Sequence, residues 1–156
     1  MAKNKKVVII IFISSFILIF AGIYFFLYKT SPELGLGEMK IGPASFHVEI
    51  ADTLRSRAQG LSGREKLGEQ NGMVFVFTIP AKYGFWMKDM RFPLDIVWIR
   101  NGKVTGIAEN VPAPEGSNLN LPNYYPPDSV DMVLELNAGA AGKAGLKTGD
   151  AAVLTR

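Results

Sequence analysis

Leu94-Asp95-Ile96-Val97-Trp98-Ile99-Arg100-Asn101-Gly102-Lys103-Val104-Thr105-Gly106-Ile107-Ala108 is the stretch that decides the fold. Two strand-like runs flank the dipeptide Asn101-Gly102. Asn and Gly tolerate the left-handed backbone that a two-residue type I′ turn needs at both central positions, so the stretch predicts a β-hairpin. Such a turn also sets the register: Arg100 faces Lys103, Ile99 faces Val104, Val97 faces Gly106 and Asp95 faces Ala108. One face then carries Asp95, Val97, Ile99, Val104, Gly106 and Ala108, apolar except for the acid. The other carries Ile96, Trp98, Arg100, Lys103, Thr105 and Ile107 and reads as half exposed.

Immediately upstream, Phe85 to Ile96 gathers aromatics, methionines and charges between two buried runs, Met73 to Phe77 and Leu94 to Ile99. Charges in that position must reach a surface mouth or find partners. Trp86, Lys88, Asp89, Arg91 and Asp95, together with Glu135 from a later strand, are the candidate ligand contacts. Phe85 reads as core. Asp95 has three possible states: accepting backbone N–H groups around Pro93, pairing with Lys88, Arg91 or another basic side chain, or remaining protonated in an apolar pocket.

Further out, Ser45 to Ala51 alternates as a half-buried strand, with the single histidine, His47, on its polar face. Asp52-Thr53 caps a short helix, Leu54 to Gln59, closed by Gly60. Ser62-Gly63-Arg64-Glu65 fits a capping box for a second, ending at Gly68. Arg55, Arg57 and Arg64 read as a solvated face with the capacity to bind an anion. Pro80 ends the strand that begins at Met73. Asn110 to Asp128 holds five prolines, a length at which irregular loops are either functional or rigid connections. Val130 to Leu136 alternates with Val130, Met132, Leu134 and Leu136 inward. Asn137 opens a short helix through Ala144, with Gly145 at its left-handed stop and Leu146 as the contact behind it. The last strand is Ala151 to Thr155.

The charge is uneven. Of 17 Lys and Arg, three are Lys3, Lys5 and Lys6, and the 14 that remain balance the 14 Asp and Glu. The basic pI thus belongs to the tail, and a nucleic-acid surface is not expected. There is no cysteine, so disulfides and thiolate metal sites are excluded. No phosphate-binding glycine motif and no nucleophile elbow is present, and no cofactor or metal is expected. Val7 to Tyr28 is uncharged. At about 1.5 Å per residue it spans roughly 33 Å, enough for a hydrocarbon core of about 30 Å. Three preceding lysines favour a cytoplasmic N-terminus, and Tyr24 and Tyr28 suit the far interface. The run is too long, and its only small pair too poorly placed, for a cleaved signal peptide. The expected organisation is therefore a basic tail at 1–6, a transmembrane anchor at 7–28, a linker at 29–42 and an extracytoplasmic domain at 43–156.

Ile50-Ala51-Asp52-Thr53, Gly60-Leu61, Arg64, Gly72-Met73 with Phe75 and Phe77, Phe85-Trp86-Met87-Lys88 and Pro93-Leu94-Asp95-Ile96 follow one another in order. Gly102-x-Val104, Leu134-Glu135-Leu136, Ala138-Gly139 and Gly149-Asp150 come after them. This order resembles the uncharacterised prokaryotic family called domain of unknown function 192, from about Phe46 to Val153. Where that family has Asn-Thr, this chain has Asp89-Met90, which adds a carboxylate and removes a hydroxyl. The resemblance implies a compact, mainly β domain with short helices and no established activity.

The fold expected is a single α+β domain, predominantly β, its mixed or antiparallel sheet curled toward a barrel, with two or three short helices. The function expected is a membrane-anchored binding or accessory module of the cell envelope, for a small ligand, an envelope glycan or a partner protein. Two other classes stay open. One is an acid/base enzyme using Asp95 with Asp89 or Glu135. The other is a structural envelope module.

Overall fold

The computed structural model describes residues 18–22, 33–116 and 120–156. Leu34–Arg156 forms one compact unit and Met1–Glu33 another. In the N-terminal unit residues 18–22 are helical, and Leu18, Ile19 and Phe20 are exposed. The rest of the run expected to anchor the chain lies outside the described residues. No helix among the described residues is long and apolar enough to cross a membrane.

The described residues of the domain form seven strands: β1 (Gly35–Ile41), β2 (Ala44–Ala51), β3 (Asn71–Ala81), β4 (Leu94–Arg100), β5 (Lys103–Val111), β6 (Val130–Asn137) and β7 (Ala152–Thr155). Two short helices join them, α1 (Leu54–Gln59) and α2 (Ala140–Lys143). One sheet runs in the order β5-β4-β6-β3-β2-β1-β7. Every neighbouring pair is antiparallel except β2 with β3. The two edges meet at one corner. Val104 N–H donates to the Asp150 carbonyl at 2.9 Å, Gly149 N–H to Val104 at 2.8 Å and Ala152 N–H to Gly102 at 2.8 Å. Strand twist curls the sheet, and these bonds occupy backbone groups that open edges would leave free.

The hairpin turn is as expected, with φ of 48° at Asn101 and 69° at Gly102. Its register holds for two pairs and then departs. After Ile99↔Val104 comes Trp98↔Gly106, so Thr105 is an extra residue, and Val97 faces Ile107 rather than Gly106. The same bulge brings Ala108 opposite Ile96 and not Asp95, and a second irregularity lies between Leu94 and Ile96. Bulges deepen local twist, which the curled sheet requires. The face expected to be half exposed is also buried at Ile96 and Trp98.

That burial follows from two cores on opposite faces of the sheet. The first draws on all seven strands, among them Met39, Phe46, Val74, Val97, Val104, Leu134 and Ala152. The second lies on the other face of the central strands, where Phe75, Ile96, Trp98 and Val133 meet Leu61, Phe85, Met87 and Met90 from the loops. The Pro-rich connection helps to hold that covering layer in place. Phe85 and Tyr124 exchange backbone hydrogen bonds at 2.9 and 2.7 Å, and Lys82 Nζ donates to the Pro127 carbonyl at 2.5 Å.

Four local expectations are corrected. The segment 29–42, read as a linker, contains β1, which pairs with both β2 and β7. β3 continues through Pro80 to Ala81, but its ladder with β6 is interrupted between Val76 and Ala81, where a residue without an N–H is tolerated. No helix forms at 62–68. Ser62 Oγ donates to the Lys88 carbonyl at 2.9 Å and Gly63 N–H to the Asp89 carbonyl at 2.9 Å, so the would-be cap is used to dock two loops. The helix after β6 is shorter than expected because Asn137 Nδ2 donates to the Leu67 and Gly68 carbonyls at 3.2 and 2.9 Å instead of capping it. By contrast, α1 has the expected bounds. Thr53 Oγ1 accepts from Ser56 N–H at 3.0 Å and Ser56 Oγ accepts from Thr53 N–H at 2.9 Å, a reciprocal capping box.

Candidate functional site

Alternation along β6 sends Leu134 and Leu136 into the first core and Val133 and Glu135 toward the second. Glu135 sits between Met73 of β3 and Ile96 of β4, on central strands, and is 6% exposed. It lies at the floor of a cavity of about 220 Å³ between the sheet and its covering layer. The loop after α1 (Gly60, Leu61, Ser62) and the segment Tyr83 to Trp86 form the walls, with Phe75 and Phe77 of β3.

The walls are aromatic and braced. Phe77 stacks on Tyr83 with centroids 3.7 Å apart, and Phe85 meets Phe75 edge to face at 5.0 Å and Trp98 at 5.5 Å. At the rim Arg57 holds its guanidinium 5.1 Å above the Phe77 ring while Nη1 donates to the Asp52 and Val76 carbonyls at 2.6 and 2.9 Å. Among the described residues no group hydrogen-bonds the Glu135 carboxyl. Burial alone therefore governs it, and pushes its pKa from the usual carboxylate range up to about 8. The arrangement is an aromatic-walled cavity with one buried acid that holds its proton up to about pH 8. That acid can donate one hydrogen bond, or ionise to meet a positive charge.

Of the residues named from sequence, Glu135 and Trp86 contribute to this cavity. Trp86 is 54% exposed, and Lys88 Nζ lies 5.6 Å above its ring. Asp89 and Arg91 line a neighbouring open depression with Ser62 and Pro114, and Met90 divides the two. Arg91 is ion-paired with Glu65. Asp89 has a φ of 56°, a left-handed conformation that Asp and Asn both tolerate. The exchange of Asn for Asp at this position therefore keeps the backbone preference. Arg64 forks onto Glu49 at 2.5 and 2.6 Å.

Asp95 is fully buried, and its oxygens accept backbone N–H groups from Asn110 at 2.8 Å and Ala141 at 2.9 Å. This is the backbone-acceptor state, with donors from β5 and α2 rather than from the turn at Pro93. Asp95 pairs in register with Leu136, and Ile96 with Glu135. The two carboxyls thus point to opposite faces, and the acid/base couple of Asp95 with Glu135 is not brought together.

Sequence reading missed the walls. Phe75 and Phe77 belong to the run Met73 to Phe77, which reads only as buried, and Tyr83 carries no signal of its own. Their signal is the clustering of Phe75, Phe77, Tyr83, Phe85 and Trp86 within a dozen residues, which periodicity does not register.

The model of the domain-of-unknown-function 192 family, described as Uncharacterized ACR, matches residues 38–154. Two solved structures share the fold. One is of a proposed transcription regulator from Sinorhizobium meliloti 1021. It is 29% identical, with a TM-score of 0.70 over 80% of this chain and 98% of that one. The other is of a protein of unknown function from Novosphingobium aromaticivorans DSM 12444. It is 28% identical, with a TM-score of 0.68 over 80% of this chain and 93% of that one. No curated protein matches the chain.

Proposed function

The chain belongs to the domain-of-unknown-function 192 family, and on that footing we propose that its domain is a binding module for a small, largely apolar ligand, held outside the cytoplasm by an anchor at 7–28. The observation that carries this reading is the braced aromatic cavity above a buried, unpartnered carboxyl. Soluble proteins rarely leave a polar group in that state without a use for it. The cavity volume suits a ligand of roughly ten heavy atoms, such as a single substituted ring. The anchor rests on the uncharged run Val7 to Tyr28 and its three preceding lysines.

The regulator description of the Sinorhizobium meliloti protein is not carried over. From Lys29 onward acidic and basic side chains balance, and the helices described in the domain have six and four residues, which leaves no recognition helix for a major groove.

A fragment screen by thermal shift tests the reading. Small aromatic fragments raise the melting temperature of the wild-type protein and change Trp86 fluorescence. Ala58→Trp places a bulky ring at the exposed rim of the cavity and abolishes both effects. Fragments that stabilise the two proteins equally bind elsewhere, and the reading fails. For the anchor, intact protein stays with membranes through high-salt and carbonate washes. Release by carbonate would contradict it.

A further inference from the structure

Resting on the cavity reading above, we infer that the occupant is a small organic ammonium ion, its charge paired with Glu135 and its apolar body held by the aromatic walls. The geometry leads there in three steps. First, among the described residues Glu135 is the only acidic group in the cavity lining, it is nearly fully buried, and its carboxyl has no hydrogen-bond partner. What fills the cavity must supply what the fold withholds. Second, the surrounding ring faces already attract positive charge, since Arg57 sits over Phe77 and Lys88 over Trp86. An ammonium ion inside the cavity meets further rings of the same wall, Phe75 and Phe85, away from the exposed rim, where cation–π attraction is stronger. Third, the one cationic side chain of the lining, Arg57, stands at the rim with both Nη1 N–H groups held by carbonyls, whereas the acid stands at the floor, so a positive charge is what the interior can pair.

The elements packed around Glu135 present it with little charge. β3 presents Met73, Phe75 and Phe77, and β4 presents Ile96 and Trp98, all uncharged. α1 and its following loop present Arg57, Gln59 and Ser62, and the segment after β3 presents Tyr83. Arg57 is the only charged side chain among them, and burial, not Arg57, governs the acid. In the empty cavity the carboxyl therefore keeps its proton at pH 7. Binding of the ammonium ion ionises it, and that proton leaves to solvent.

Isothermal titration of the full chain with benzylamine, and with benzyl alcohol as the neutral counterpart, tests this. With a carboxyl that ionises at about 8, linkage gives an affinity for benzylamine that rises about 50-fold from pH 6 to pH 8, and release of about 0.9 proton per site at pH 7, read from buffers of different ionisation enthalpy. Benzyl alcohol binds more weakly at pH 8 and releases none. Glu135→Gln removes the pH dependence and the proton release together. The wild-type proton count needs no variant, so it decides the matter even if that substitution impairs folding. Equal binding of amine and alcohol with no proton release would overturn the ammonium assignment and leave the cavity reading standing. Failure of both to bind would remove the cavity reading as well.

Discussion

Glu135→Gln should stabilise the domain, by an amount that grows with pH. In the unfolded chain a glutamate gives up its proton near 4.5, whereas the folded protein holds it until about 8. Between those values unfolding releases a proton, so rising pH favours the unfolded state. Below the window both states are protonated and nothing is lost. Within it each pH unit costs about 1.4 kcal/mol, so by pH 7 the folded state gives up on the order of 3 kcal/mol, an upper figure for one buried acid. Glutamine keeps the shape and carries no titrating proton. Other groups titrate alike in both proteins and cancel in the difference. Calorimetric melts from pH 4.5 to 8.5 read it directly: the two proteins melt together at the acid end, and the variant melts higher by about 10 °C at pH 7. The gap widens no further above about pH 8. A variant that melts lower than wild type at pH 7 would show that Glu135 is ionised and paired in the folded protein, and the reasoning would be wrong. The stabilised variant is also the one expected to lose the ammonium ligand, the usual opposition between a site's readiness and its stability.

Two further substitutions probe the scaffold around the cavity. Asp95→Asn turns one acceptor into a donor facing a backbone N–H, of Asn110 or Ala141. Chemical denaturation at pH 7 should show a loss of about 1–3 kcal/mol, and an unchanged midpoint would mean that those bonds do not form. Gly102→Val forces a β-branched residue into a left-handed turn and brings its Cβ to 3.4 Å from the Ala152 carbonyl. It should lower stability by at least about 1 kcal/mol, and an unaltered melting temperature would refute the turn.

Much of the fold was legible because local chemistry and tertiary demand agree. Asn101-Gly102, Thr53 with Leu54 to Gln59, the alternation of Val130 to Leu136 and the stop at Gly145-Leu146 each specify their own geometry. What was illegible depends on distant groups. The bulge at Thr105 answers to sheet curvature rather than to any residue that demands one. Ser62 and Asn137 were read as helix caps, but carbonyls far along the chain hold them instead. The burial of Ile96 and Trp98 depends on loops folding back over a face that alternation marks as outward. The same holds for the site. Glu135 could be named as a candidate from its strand, yet its isolation could not, because the walls come from β3, the loop after α1 and the segment before Trp86.

The carboxyl carbon of Glu135 reports on the central claim without intermediaries. In protein carrying carbon-13 in its glutamates, with Glu135→Gln identifying the resonance, that signal should titrate near 8 in the empty protein, as its burial requires. With saturating benzylamine the same carbon should already be ionised at pH 7. A resonance that titrates in the ordinary glutamate range and ignores the amine would contradict both the neutral acid and the site built over it.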